Sequence, residues 1–175
     1  EITTDANGIA PKTQATVVVG GDNDAIATEI FKRSGAAVAF QGNTVVTFTD
    51  IQGFPYAVSF YRPIEVPIYV QVDLQVVDAS IFPSNGADLV KQAIVTYSQQ
   101  GAAGLGIQTG FNNQFQPSEN IVRSHLYTPI NSVPGASILD VLIGTDPGAL
   151  SANDIPIAFN EIGLFETDNI VVNLS

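Results

Sequence analysis

The stretch from Val66 to Val77 constrains the fold more than any other part of the sequence. Apolar and polar residues alternate along it, which is the period of a β-strand with one buried and one exposed face. The apolar positions are Ile68, Val70, Val72, Leu74 and Val76, and the polar positions are Tyr69, Gln71, Asp73 and Gln75. A strand of this length must lie in a sheet whose apolar face is covered by other elements.

The residues before this strand predict a small unit made of one helix and one hairpin. Asp22 or Asn23 can cap a helix that runs to about Ser34, with apolar residues recurring at helical spacing. The β-rich runs 44–49 and 56–61 flank a polar, glycine-containing turn and predict a β-hairpin.

One proline lies between this unit and the long strand, and a second lies near the start of the strand. Pro63 and Pro67 cannot donate to a strand ladder, so a continuous central strand across Arg62-Pro63 is disfavoured. We therefore predict a domain boundary here, with one small α+β domain over 1–62 and a second domain over 63–175.

The second domain is predicted to contain two helices and further strands. A helix over 87–98 follows the long strand, and Ser118 is expected to cap a second helix after a loop over 101–117. Strands are predicted over 138–143 and at 170–174. This order, β-α-α-β-β, indicates two helices packed on a mainly antiparallel sheet, and the chain as a whole belongs to the α+β class.

The composition makes the chain strongly acidic. Its 175 residues include 17 acidic and 6 basic side chains, for a formal net charge of −11. A nucleic-acid binder needs a clustered cationic stripe, and no apolar run approaches the roughly 20 residues of a membrane span. We therefore expect neither nucleic-acid binding nor membrane insertion. The scattered cations are Lys12, Lys32, Arg33, Arg62, Lys91 and Arg123.

The residue types needed for common active sites are scarce. Cysteine is absent and His125 is the only histidine, which excludes disulfides, thiolate metal sites and a histidine-rich zinc site. A Ser-His-Asp triad needs only one histidine, but no G-x-S-x-G motif accompanies it. We interpret His125 as a packed or half-exposed structural residue, and we predict no catalytic residue, no cofactor and no metal.

The segment from Val17 to Asp24 has the strand-glycine-helix layout of a phosphate-binding loop. It lacks both Gly-Lys-Ser/Thr and G-x-G-x-x-G, and Asp22 and Asp24 would place negative charge where a phosphate should sit. The same carboxylates could offer oxygens to calcium, but the spacing of an EF-hand loop is missing. A tight turn followed by an acidic helix cap is the preferred interpretation.

The 101–117 loop is rich in glycine and side-chain amides and contains Phe111 and Phe115. Exposed aromatic residues in a long loop are typical of interface anchors, so Phe111 and Phe115 are the candidate partner-binding residues. Two other interpretations stay open: a flexible loop, or phenylalanines that fold back onto the core.

The order of these segments resembles the baseplate J-like family of phage tail proteins. The resemblance covers residues 15–175, and the 101–117 loop is longer than is usual in that family. The segments that carry it are Val17 to Asp22, Ile26-Ala27, Ile30, Gly35, Gly42, the turn 50–53, Phe60 to Pro63, Val66 to Val70, Val122, Ser124, Leu126-Tyr127, Ile130, Val133, Gly135, Ile155 to Ile157, Glu161 and Ile170 to Val172.

The resemblance implies a structural role rather than an enzymatic one. Such a protein is a subunit of the baseplate in a contractile tail or a tail-derived injection machine, assembled in the bacterial host cytoplasm. Its partners are other copies of itself and other baseplate subunits. The family contributes no catalytic residues to this sequence. Because it usually has an N-terminal portion before this region, we expect the chain to be a C-terminal fragment.

Two alternative functions stay open at this point. The aromatic, amide-rich loop is also compatible with a receptor- or glycan-binding module of a tail or surface protein. An enzyme acting on the cell envelope is the second alternative, and it would depend on His125.

Overall fold

In a computed structural model of the chain, the residues described are 3–35, 38–49, 52–107 and 114–175. The chain divides into two compact units, Glu1–Ile64 and Glu65–Ser175, so the division falls two residues after the predicted boundary. Helices and strands occur in both units, and the fold is α+β as predicted.

The helix of the first unit begins where the sequence predicts. Helix α1 spans Asn23–Arg33, and the carboxylate of Asp22 accepts hydrogen bonds from the backbone N–H groups of Asp24 and Ala25 at 3.1 and 3.0 Å. These bonds satisfy two of the donors that a helix start leaves free. The acidic-cap interpretation of this segment is therefore confirmed.

Four strands surround α1 in the first unit. Strands β1 (Thr13–Ala15) and β2 (Ala39–Gln41) pair in parallel, and β3 (Thr44–Thr49) pairs antiparallel with β4 (Pro55–Phe60). The hairpin prediction is confirmed, although positions 50 and 51 of its turn lie outside the described residues. The buried residues that join helix and hairpin are Ala27, Ile30, Val46, Val58 and Phe60.

The long alternating strand is confirmed in the second unit. Strand β5 spans Ile64–Val76, and the predicted apolar positions from Ile68 to Leu74 are all buried. Helix α2 (Gly86–Gly104) follows, interrupted at Gly101, where φ is 63° and ψ is −163°. Strands β6 (Ala136–Gly144) and β7 (Glu161–Leu174) complete a sheet of order β6-β5-β7.

The sheet of the second unit is mixed, which corrects the expectation of a mainly antiparallel one. Strands β5 and β6 are antiparallel. Beside β5 on its other edge, the Ser175 N–H donates to Leu74 O and the Val76 N–H donates to Ser175 O, both at 2.9 Å. In a parallel pair, one residue bonds to two residues of the neighbouring strand that are two positions apart, as Ser175 does with Leu74 and Val76. Strand β7 runs parallel to β5 because the chain reverses direction between β6 and β7.

The predicted second helix is much shorter than the sequence suggested. Ser118 does not cap it: its φ of 68° is left-handed, and its N–H donates to Glu161 O. Ile121 is extended because it exchanges backbone hydrogen bonds with Ile155. Only a 3₁₀ turn over Arg123–Leu126 and the single helical turn α3, Tyr127–Ile130, remain.

Candidate partner interface

Phe115, one of the two predicted loop anchors, lies in the core of the second unit. It is 4% exposed, and its ring stacks on Phe165 with centroids 5.2 Å apart. Its N–H donates to Ser98 O at 3.2 Å, which ties the end of the loop to α2. Of the interpretations that the sequence left open, Phe115 follows the one in which the phenylalanine folds back onto the core. Phe111, the other predicted anchor, lies outside the described residues.

His125 packs against the same aromatic cluster. Its ring stacks on Phe115 with centroids 6.1 Å apart, and Nδ1 is buried without a hydrogen-bond partner in the described part of the chain. A histidine that acts in catalysis is oriented by a carboxylate or hydroxyl on one nitrogen. The environment of His125 is that of a packed residue, as the sequence indicated.

The glycine-containing loop before α1 is filled by an arginine of its own unit. Gly20 and Gly21 have φ values of 63° and 77°. The Arg62 guanidinium donates to the carbonyl oxygens of Val18, Gly20 and Gly21 and to Asn23 Oδ1 at 2.6 Å. The loop therefore points carbonyl oxygens at a cation. A phosphate-binding loop does the opposite, because it points backbone N–H groups at an anion. The sequence placed Arg62 only at the domain boundary and missed this contact.

Two acidic side chains, Glu29 in α1 and Asp78 in the segment after β5, serve local structure. Hydrogen bonding and charge from Lys32, with a smaller contribution from Arg33, lower the pKa of Glu29. The hydroxyl and the N–H of Ser80 lower the pKa of Asp78.

Among the described residues, no group of three or more histidine, cysteine, aspartate or glutamate side chains is arranged to hold a metal ion. No described helix is long and apolar enough to cross a membrane.

The outer face of the second unit's sheet carries a pair of carboxylates. Asp73 on β5 lies directly opposite Asp140 on β6. Asp73 accepts hydrogen bonds from the side-chain amides of Gln71, at 3.2 and 3.3 Å, and Asn173, at 2.6 Å. Asp140 instead pairs with the Arg123 guanidinium at 3.3 Å. Among the described residues, Asp73 therefore has neutral hydrogen-bond donors and forms no ion pair of its own.

Exposed apolar side chains surround Asp73. The extra residue of a β-bulge in β6 is Leu139, because Asp73 pairs with Asp140 and Leu74 with Ile138. Leu139 is 59% exposed and Leu174 is 48% exposed. Together with Asp73 and Asn173 they line an open groove of about 320 Å³, here named the outer-face groove. Two leucines and a carboxylate thus share one concave surface.

Strand β7 is an edge strand of the described sheet. Phe165 and Ile170 are both buried in the same core although they are an odd number of residues apart, so the strand is irregular between them. Glu166, Thr167 and Asp168 lie in this irregular part and are exposed. After it, residues 169–174 contain no charge, proline or glycine, and Val171 is 53% exposed.

A second concave surface lies in the first unit. Its groove of about 610 Å³ is lined by three aromatic residues, Phe31, Phe40 and Tyr56, and by smaller residues. The rings of Phe31 and Tyr56 have centroids 4.7 Å apart, and Tyr56 is 37% exposed. Partly exposed aromatic faces of this kind can pack on a flat apolar ligand surface.

Comparisons with protein-family models and with curated proteins each find no match to this chain.

Proposed function

We propose that this chain is a structural subunit of a phage contractile-tail baseplate and that it works by protein-protein assembly. The observation that carries the proposal is the outer face of the second unit, where an edge strand, an apolar groove and the amide-bound carboxylate of Asp73 lie together. Such a surface is suited to contact with another protein chain.

The roles of three polar side chains agree with the same proposal. Arg62 fills the glycine loop, His125 stacks on the core residue Phe115, and Asp140 is paired with Arg123. Each of these groups contributes to the fold of its own unit. On the outer face of the second unit the apolar side chains of Leu139 and Leu174 are left exposed, which suits contacts between subunits. The partners proposed are other baseplate subunits and other copies of this chain, and the location proposed is the tail baseplate.

Immunogold labelling of tail particles tests this proposal. An antibody raised against the chain would be applied to intact and detergent-disrupted particles from a lysate of the bacterium that encodes it. We expect gold at one tip of the tail, in the disrupted sample at least. Antigen found only free in the lysate, with both particle samples unlabelled, would overturn the proposal.

A receptor- or glycan-binding module is the second candidate function, and the aromatic groove of the first unit favours it. Aromatic rings are common platforms for sugar faces and apolar peptides. A glycan array tests it with Tyr56→Ala, which should remove any binding. Val45→Ala is the matched control, because Val45 is exposed on the opposite face of the same hairpin. Absence of wild-type binding would reject this candidate.

A further inference from the structure

We infer that the outer-face groove and the adjoining edge of β7 bind an extended, cationic strand contributed by a different protein. The inference rests on the proposed function, because it names the kind of partner with which an assembly subunit would pair. Its three supports are the backbone of β7, the chemistry of the groove and the sign of the surrounding charge.

The backbone supplies the first support. An edge strand presents N–H and C=O groups that a further strand can pair with, and natural proteins protect such edges with charge, proline or a covering segment. In β7 the charges Glu166 and Asp168 stop before Asn169, and residues 169–174 themselves contain no charged residue and no proline. Strand addition would pair this backbone and cover Val171.

The groove supplies the second support. A lysine or arginine side chain has an apolar stem and a charged head, and it binds best where both are matched. Leu139 and Leu174 provide apolar walls for the stem, and Asp73 provides a carboxylate for the head. Asp73 is already fixed in position by Gln71 and Asn173, so little ordering is needed when a cation arrives.

Charge decides between a second copy of this chain and a different protein. Along β7 and its groove, Asp73, Glu166 and Asp168 form no ion pair with any described residue, Arg123 is already paired with Asp140, and the whole chain has a net charge of −11. Two such surfaces placed together would bring like charges into contact, which disfavours the pairing. A segment that alternates basic and apolar residues would instead be complementary to β7 and to the groove.

A peptide titration followed by amide NMR of the ¹⁵N-labelled full chain tests the inference. The probe is an octapeptide of alternating lysine and valine with blocked ends. One control peptide replaces every lysine by glutamate, and another replaces every valine by serine. We expect shifts of the amides of residues 169–174 and of Asp73 with the lysine-valine peptide, and at least about tenfold weaker binding of both controls.

Variants of the chain locate the binding site. Asp73→Asn keeps a side chain of the same shape and should weaken lysine-valine binding about tenfold, through loss of a charge-assisted contact. Val171→Lys should weaken it at least as much, since it adds a cation beside β7. The matched control is Asp88→Asn, the same chemical change on the exposed side of α2, which should change affinity less than about twofold.

Three results would overturn the inference. The first is equal binding of the lysine-serine peptide, which would show attraction by charge alone. The second is unchanged affinity in both Asp73→Asn and Val171→Lys, with the spectra showing folded protein. The third is a dimer, detected by light scattering, that Val171→Lys dissociates, which would make a second copy of this chain the occupant.

The failure of this inference can be distinguished from the failure of the proposed function. Tail-tip labelling without peptide binding rejects only this inference, and peptide binding without particle labelling rejects only the proposed function.

Discussion

Asp73 and Asp140 lie directly opposite each other on the antiparallel strands β5 and β6, and different donors hold their carboxylates. Amide groups of Gln71 and Asn173 bind Asp73, and the guanidinium of Arg123 binds Asp140. Like charges in directly opposed positions destabilise a sheet. Arg123 therefore does more than form one ion pair, because it also reduces the repulsion between two strands.

Arg123→Ala should lower the free energy of unfolding by about 1–2 kcal/mol, through loss of the contacts to Asp140 and to Val141 O. Adding Asp140→Asn to this variant should restore about 0.5 kcal/mol, because it removes the unbalanced charge facing Asp73. Urea unfolding of the two variants measures both effects. Further destabilisation by Asp140→Asn would show that repulsion between the strands is unimportant.

Arg62→Lys should destabilise the first unit although it preserves the charge. An ammonium group cannot reproduce the forked contacts of the guanidinium with Gly21 O and Asn23 Oδ1. We expect a loss of about 1–2 kcal/mol in thermal or urea unfolding. Arg33→Lys is the control, since the ion pair of Arg33 with Glu29 is exposed to solvent, and it should cost less than about 0.5 kcal/mol. Equal effects of the two changes would contradict the role given to Arg62.

Gly42→Ala should be among the most damaging single-methyl changes in the chain. A Cβ at this position would overlap the backbone carbonyl of Phe60, which cannot move without disturbing β4. The expected cost is about 3 kcal/mol or loss of the folded first unit. Gly53→Ala provides the comparison: its φ is 89° and no described atom lies within 4 Å of an added Cβ, so only about 1 kcal/mol of backbone strain is expected. Similar melting temperatures of the two variants would contradict this assignment.

Phe115→Ala should cost about 3–5 kcal/mol, because it removes a buried ring that stacks on Phe165. Val45→Ala, an exposed truncation, should change stability by less than about 0.5 kcal/mol. Calorimetry distinguishes this result from that expected of a surface anchor, for which Phe115→Ala would leave the melting temperature unchanged.

His125→Phe should leave stability unchanged or raise it by about 0.5–1 kcal/mol. The change preserves a ring beside Phe115 and removes the buried Nδ1 atom, which has no hydrogen-bond partner among the described residues. Urea unfolding at neutral pH measures the effect. A clear loss of stability, with an unchanged fold by circular dichroism, would show that the imidazole nitrogen is needed.

Local patterns in the sequence predicted the elements whose causes are local. The alternation in β5, the Asp22 cap and the hairpin of β3 and β4 each depend on residues close together in the chain. Periodicity and capping report such contacts directly. The α+β class follows from the order of these elements.

The features that the sequence did not predict depend on distant partners. Ser118 looked like a helix cap, but the bridge between Ile121 and Ile155 keeps the following backbone extended. The parallel pairing beside Leu74 involves Ser175, about a hundred residues away. The aromatic character of Phe115 could not distinguish a surface anchor from a core residue, because either position suits an aromatic ring. Its burial is set by Phe165, on another strand.

The most direct test of the proposed role is a cryo-electron microscopy reconstruction of tail particles from the organism that encodes this chain. We expect both units to fit density at the tail tip, and a strand of a neighbouring subunit to lie along residues 169–174 of β7. A basic side chain of that neighbour should reach Asp73. A tail tip whose density is fully explained by other proteins, with this chain absent, would contradict the account.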